Sequence, residues 1–261
     1  MRNFRLEIEY DGSRYCGWQA QNSPQSTVHS PQKKSIQEVL EKTLSKILRE
    51  KIHLMASGRT DAGVHAFAQV ANFKTTSGIA ALKLQRALNS LLPQDIVIRA
   101  IEEKPLGFHS RFQAKSKEYR YYILHDSSRC AFLKEKVYFL PYPLKVKLMQ
   151  EEARALIGRH DFKSFCASGS SVKDTARNVR KVSLKKIKCN FCLKHCCLLV
   201  LDITADGFLY NMVRSIVGTL IQIGRGKLGR GSMKKILSLR DRRQAGPTAP
   251  PRGLYLLQVN Y

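Results

Sequence analysis

The sequence predicts an α/β fold of the α+β kind, built from two β-α-β-β-α-β halves whose mostly antiparallel sheets join around a basic cleft. Three observations predict it. Period-two strand patterns alternate with period-3.6 helical patterns. That order occurs twice along the chain. A large excess of cations is concentrated in the second half.

In the first half, Phe4, Leu6, Ile8 and Tyr10 alternate with Arg5, Glu7 and Glu9, the pattern of a half-buried strand. Ser35 and Glu38 form a capping box ahead of Val39, Leu40, Leu44, Ile47 and Leu48 at helical spacing. A strand from Ile52 to Ala56 and another from His65 to Phe73 flank a glycine-bounded loop. Leu82, Ala87, Leu88, Leu91 and Leu92 give a second helix, stopped at Pro93, and Ile96 to Glu102 completes the unit. This is the ferredoxin-like, or RRM-like, order.

The second half repeats the architecture without residue-level similarity. Lys117 to His125 reads as a strand and Leu144 to Ile157 as a helix. Val179 to Lys188 and Cys197 to Thr204 form a strand pair. Phe208 to Ile223 and Met233 to Leu239 read as helices, and Leu254 to Tyr261 as a closing strand. The domain boundary is placed between residues 105 and 106, giving halves 1–105 and 106–261.

Composition narrows the partner. Lys and Arg total 45 against 20 Asp and Glu, a net charge of +25, while 43% of residues are hydrophobic. The chain therefore buries a core and carries the charge of a protein that binds nucleic acid or an anionic membrane. The apolar run 208–223 is interrupted by Asn211, Arg214 and Gln222, so no bilayer span is expected. Seven cysteines without a secretory signal fit a reducing, cytoplasmic setting.

Between Glu50 and Asp95 the only acidic residue is Asp61, inside Ala56-Ser-Gly-Arg-Thr-Asp-Ala-Gly-Val-His65. A lone carboxylate two residues after Arg59 suits covalent attack or base catalysis better than holding a divalent metal. A structural turn is the alternative, since glycines supply positive φ and Asp accepts local backbone bonds. His65 is assigned to a basic hairpin face. Cys189-Asn-Phe-Cys192 with His195 has zinc-like spacing but no second pair, so no metal is expected. Gly224-Arg-Gly-Lys-Leu-Gly229 matches a dinucleotide pattern yet follows a helix, so it reads as a basic loop and no cofactor is expected.

Seven Lys or Arg fall between Lys173 and Lys188 and eight between Arg225 and Arg243, each stretch holding one acid. Such density favours phosphate contacts. On the strand Lys117–Tyr122, Tyr119 and Tyr121 share a face opposite Arg120 and Tyr122. Tyr119 is a candidate for stacking on a base, with packing inside the sheet as the alternative. Arg214 lies off the apolar stripe of its helix. It is either solvent-exposed or the partner that keeps Asp61 ionised. A non-catalytic RNA-binding module and a membrane or ribosome-surface adaptor are the competing function classes; the RNP1 string of RNA-binding RRMs is absent from the sequence.

These residues resemble the tRNA pseudouridine synthase A family. Tyr10-Asp-Gly-Ser-Arg-Tyr-Cys-Gly-Trp-Gln-Ala-Gln21 is similar to its opening signature and Gly58-Arg-Thr-Asp-Ala-Gly-Val-His65 to its catalytic loop. Leu92-Pro-Gln-Asp-Ile96, Phe108-His-Ser-Arg-Phe112, Lys117-Glu-Tyr-Arg-Tyr121 and Gly158-Arg-His-Asp-Phe162 follow in order. Gly207-Phe-Leu-Tyr-Asn-Met-Val-Arg214, Val217-Gly-Thr-Leu220 and Ala245-Gly-Pro-Thr-Ala-Pro250 complete the set.

The resemblance implies a cytoplasmic isomerase that converts uridine to pseudouridine in the anticodon arm of tRNA, without cofactor or metal. It implies that Asp61 is the nucleophile, Tyr119 stacks on the target base, Arg214 pairs with the aspartate and Arg59 helps displace the base. It also implies an α/β homodimer with RNA across both subunits and no membrane partner. Two stretches depart from the family's pattern: the Ser/Pro/Gln-rich segment 22–34 and the cysteine-dense hairpin 189–197.

Overall fold

The computed structural model describes residues 1–19, 33–169, 172–189 and 196–261. Its strands and α-helices run β1 (Arg2–Tyr10), α1 (Ile36–Leu48), β2 (Met55–Ala56), β3 (His65–Thr75), α2 (Ala81–Leu91), β4 (Ile96–Lys104), β5 (Ser116–His125), β6 (Tyr138–Leu140), α3 (Val146–Ala153), β7 (Gly158–Asp161), β8 (Ala176–Cys189), β9 (Cys196–Ala205), α4 (Met212–Gly224), α5 (Ser232–Leu239) and β10 (Leu254–Asn260). Two compact units emerge, one of residues 1–115 with 255–261 and one of residues 116–254. The fold is α+β with mostly antiparallel strand pairing.

In the first unit β1 pairs antiparallel with β3 on one side and β4 on the other, and β2 pairs with β3. The resulting order, β4-β1-β3-β2, is that of the split βαβ motif. Phe4, Leu6 and Ile8 are wholly buried, and Phe4 stacks on Phe73 at 5.8 Å. Helix α1 starts where its capping box demands: Ser35 Oγ accepts the Glu38 N–H, and Glu38 accepts the Ser35 N–H. It buries Ile36, Leu40, Leu44 and Leu48, each leucine contributing about 1.5–3 kcal/mol. Pro93 ends α2 as expected, by forcing Leu92 into an extended conformation.

The closing strand β10 reaches this first unit although it follows the second in sequence. Tyr255 and Leu256 pair in parallel with His65 and Ala66 of β3. The Asn260 carbonyl accepts the Lys115 backbone N–H at 2.8 Å. Periodicity identified the strand but not its neighbour.

In the second unit the order is β5-β9-β8-β7, all antiparallel, with β6 parallel to β5. Along β5, Tyr119, Tyr121 and Ile123 are buried, whereas Arg120 and Tyr122 take the other face. Arg120 lies directly opposite Asp202 of β9 and donates two bonds to it, at 2.6 and 3.0 Å. Helix α3 is shorter than expected, passing into a 3-10 turn at Arg154–Leu156. Helix α4 begins at Met212 instead of Phe208, because Asn211 adopts a left-handed conformation and breaks the pattern. The short strands β6 and β7 have too few residues for periodicity to reveal. Segment 224–229 is the turn joining α4 to α5, as its sequence suggested. Residues 22–32 and 190–195, which carry most of the two departures from the family's pattern, lie outside the described residues. Among the described residues no helix is long and apolar enough to cross a membrane.

Candidate active site

The loop between β2 and β3 is built on a turn. Asp61 carbonyl accepts the Val64 N–H at 3.1 Å, and Gly63, the third residue of that turn, has φ +77°. Positive φ at this position needs glycine, the signature of a type II turn. Asp61 is half-buried at the first position of the turn and Arg59 is exposed two residues earlier. The turn reading of the sequence therefore holds: the glycine makes the turn, and the turn presents the carboxylate.

Buried polar side chains hold the loop on both flanks. Before it, Ser57 Oγ donates to Gln69 Oε1 at 2.7 Å, and Gln69 Nε2 donates to the Gly58 carbonyl at 2.9 Å. Both side chains are fully buried. In its middle, Thr60 Oγ1 lies 2.7 Å from the Tyr10 hydroxyl, and the Thr60 carbonyl accepts the Trp18 N–H at 3.0 Å. Burial pushes the Tyr10 phenol well above its ordinary pKa, so it stays protonated and available to this bond.

The opening segment 10–18 is the clamp on this loop. A Cβ on Gly12 would lie 2.0 Å from the Val64 carbonyl oxygen, and one on Gly17 would lie 2.6 Å from that of Thr60. Only glycine permits these approaches. The sequence signal was present in the two glycines of the opening signature, but nothing in the sequence paired them with the loop.

His65 is a correction. It was expected on a basic hairpin face, yet only 1% of it is exposed. Its Nδ1 accepts the Gly12 backbone N–H at 3.2 Å and lies 3.0 Å from Asp11 Oδ1, while its ring stacks on Tyr255 at 4.5 Å. A register shift explains the position. Ile8 pairs with Gln69 and Tyr10 with Ala66, so β3 spends one extra residue there and turns His65 inward. The histidine belongs to the clamp.

Tyr119 and Arg214 belong to the second unit. Tyr119 is 8% exposed and meets Phe208 edge-to-face at 4.9 Å. Arg214 is half-buried, which removes the solvent-exposed reading. Its Nε donates to the Ala249 carbonyl at 2.7 Å, its own carbonyl accepts the Ala249 N–H at 3.1 Å, and its Nη1 donates to Asn211 Oδ1 at 2.6 Å.

Ala249 comes from a strap, residues 245–250, that crosses α4. Gly218 makes the crossing possible, since a Cβ there would fall 1.7 Å from the Pro247 carbonyl oxygen. Gly246 N–H donates to Thr219 Oγ1 at 2.8 Å, and Arg242 Nη1 donates to the Gly246 carbonyl at 2.9 Å. At the far end, the Pro250 carbonyl accepts the Tyr121 hydroxyl at 2.7 Å. Tyr121 is wholly buried, Tyr119 nearly so, and the strap fixes both Tyr121 and Arg214.

Lys181, Lys185, Lys186 and Lys188 on β8 are exposed, as are Arg225, Lys227, Arg230, Lys234 and Lys235 around α5. Such a surface attracts a polyanion with salt-sensitive affinity. Among the described residues no group of three metal-ligating side chains comes together. Chemically, the first unit offers one positioned carboxylate with an exposed arginine beside it. The second offers a guanidinium held on two sides and a tyrosine ring braced by another aromatic.

The chain is similar to known proteins along its length. The model of a family described as tRNA pseudouridine synthase matches residues 7–113 and 153–261. A protein of Caldicellulosiruptor bescii named tRNA pseudouridine synthase A is 45% identical over the full length of both chains. Namesakes from Acetivibrio thermocellus, 42% identical with full coverage of both, and Citrifermentans bemidjiense, 44% identical over this whole chain and 98% of its own, are similar throughout.

Proposed function

The chain belongs to the tRNA pseudouridine synthase family, and from that premise we propose that it isomerises uridine to pseudouridine in the anticodon arm of tRNA, with Asp61 as the nucleophile. The observation that carries the role of Asp61 is its place on a turn clamped by Tyr10, Gly12, Gly17 and Gln69, which fixes a carboxylate without burying it fully.

The reaction has no net redox change and needs no cofactor. Asp61 attacks the target nucleoside, the glycosidic carbon–nitrogen bond breaks, the uracil turns, a carbon–carbon bond forms to its C5, and the bond to Asp61 is released so that the carboxylate is regenerated. The proton leaving C5 is balanced by protonation of the nitrogen released. A uridine in a folded RNA must first leave its stack, at a cost of a few kcal/mol. Arg59, exposed beside the nucleophile, displaces the base. Tyr119 stacks on it and returns about 1–3 kcal/mol. Arg214 pairs with Asp61 and keeps it charged where water is excluded. A cytoplasmic homodimer holds the tRNA across both subunits.

Pseudouridine mapping on an unmodified tRNA transcript tests the proposal, with Asp61→Asn as control. Pseudouridine in the anticodon arm, absent with the variant, is expected. Tight tRNA binding with no isomerised uridine in any of several tRNAs would replace it with a non-catalytic RNA-binding module. Turnover by Asp61→Asn would remove the nucleophile assignment alone.

A further inference from the structure

A second feature of the first unit stands apart from the catalytic loop. A cleft of about 770 Å³ is lined by Arg5, Lys104, Lys115, Phe108, Gln113 and Tyr261, among others. That volume is within the range of small-molecule and nucleotide sites, roughly 300–1,000 Å³. Three lining residues are cations and two are aromatic. Two carboxylates reach them: Glu102 lies 2.8 Å from Lys104 and 3.5 Å from Arg5, and Glu7 lies 3.4 Å from Arg5. Three cations face these two acids, so the cleft carries one positive charge in excess, which favours an anion.

One wall of the cleft is an unusually well-anchored loop. Asn3 and Asn72, both wholly buried, hold residues 105–110 from below. Asn3 Nδ2 donates to the carbonyls of Pro105 and Phe108 at 3.1 and 2.9 Å. Asn72 Oδ1 accepts the Ser110 N–H at 2.9 Å, and Asn72 Nδ2 donates to Asn3 Oδ1 at 3.0 Å. Ser110 Oγ donates to the Met55 carbonyl, and the Ser110 carbonyl accepts the Tyr261 hydroxyl at 2.7 Å.

This rigid base carries an aromatic outward. Phe112 is 75% exposed, with the Arg111 guanidinium 5.7 Å from its ring centre and the His109 ring at 4.3 Å. A loop anchored by buried asparagines that nonetheless leaves a phenylalanine in water is built for presentation, not for packing. An exposed ring beside cations, next to an anion-favouring cleft, fits a nucleotide: base on the ring, phosphate on the lysines.

The cleft is remote from the catalytic turn. Tyr255 pairs with His65 at the end of that turn, and Tyr261 lies six residues further along β10. At roughly 3.3 Å per residue the separation is about 20 Å.

We propose that this cleft and the Phe112 loop form a second RNA contact, holding a nucleotide of the substrate tRNA away from the reacting uridine. The proposal rests on the tRNA substrate named above. Phe112→Ala and Lys115→Gln replace exposed side chains and leave the fold intact. The combined variant is expected to raise the Kd and KM for tRNA on the order of tenfold, with kcat unchanged. Its salt slope is expected to fall by about one, for the cation removed. Unchanged Kd, KM and salt slope would overturn the proposal. So would binding of free uridine monophosphate that the variant loses while tRNA affinity stays the same, since the occupant would then be a free nucleotide. Measuring Kd in the Asp61→Asn background separates the two readings. Phe112-dependent tRNA binding by a protein that keeps Asp61 yet forms no pseudouridine would sustain this contact and sink the catalytic reading.

Discussion

Asn211 stands in the left-handed region, at φ +59°, and its side-chain oxygen accepts a 2.6 Å bond from Arg214 three residues later. An asparagine just ahead of a helix ordinarily caps it, but this one makes no side-chain cap. Its oxygen is spent on the guanidinium instead. A non-glycine residue with positive φ stores about 1–2 kcal/mol of strain, and asparagine tolerates it best of the ordinary residues. Here the strain aims a side chain.

Asn211→Gly separates that aim from the strain. Glycine accepts the conformation freely, so thermal stability is expected to hold or rise slightly. The anchor on Arg214 is lost, and kcat is expected to drop, by as much as roughly 10²-fold if the guanidinium shifts by about 1 Å. Full activity in steady-state assays would mean that Ala249 alone positions Arg214.

Gly218→Ala places a methyl group 1.7 Å from the Pro247 carbonyl oxygen, so the strap must lift from α4. The expected cost is about 1–3 kcal/mol of stability. In a chain of this size that lowers Tm by roughly 2–4 °C per kcal/mol. Because Ala249 and Pro250 hold Arg214 and Tyr121, activity is expected to fall further than stability explains. Calorimetry and kinetics on the same preparation compare the two.

Tyr10→Phe leaves the Thr60 hydroxyl buried without its 2.7 Å partner, and Thr60→Val takes the same bond from the Tyr10 hydroxyl. Each is expected to cost about 1–3 kcal/mol, and the double variant considerably less than their sum. A thermodynamic cycle from denaturant unfolding reads the coupling directly. Additive losses would show that the bond does not join the opening segment to the turn that carries Asp61.

Tyr119→Phe keeps the ring and its edge-to-face contact with Phe208, so tRNA binding is expected to change little. Tyr119→Ala is expected to lose about 1–3 kcal/mol of stacking. Equal losses from both would assign the role to the hydroxyl.

Local chemistry made much of the protein legible in its sequence. The Ser35–Glu38 capping box, the stop at Pro93 and the alternation along β1 and β5 each depend on residues within a few positions of one another. So does the turn that carries Asp61, where Gly63 supplies a conformation that neighbouring residues could not adopt without strain. The family resemblance rested on short ordered strings of this local kind, and the full-length likeness to curated relatives agrees with it.

What escaped the sequence depends on partners far apart in the chain. Nothing near His65 announces that a register shift turns it inward to Gly12 and Asp11. Gly218 looks like an ordinary small helical residue until the strap from 245–250 lies against it. Strand β10 was recognisable by its alternation, but alternation says which faces are apolar and nothing about which neighbour supplies the hydrogen bonds. The sequence by itself determined the elements, the acid on its turn and the basic character of the surface. Only the tertiary structure decided how Tyr10 and Gly12 clamp that turn and how Asn211 and Ala249 aim Arg214. Backbone approach and long-range hydrogen bonding become defined only when distant segments meet.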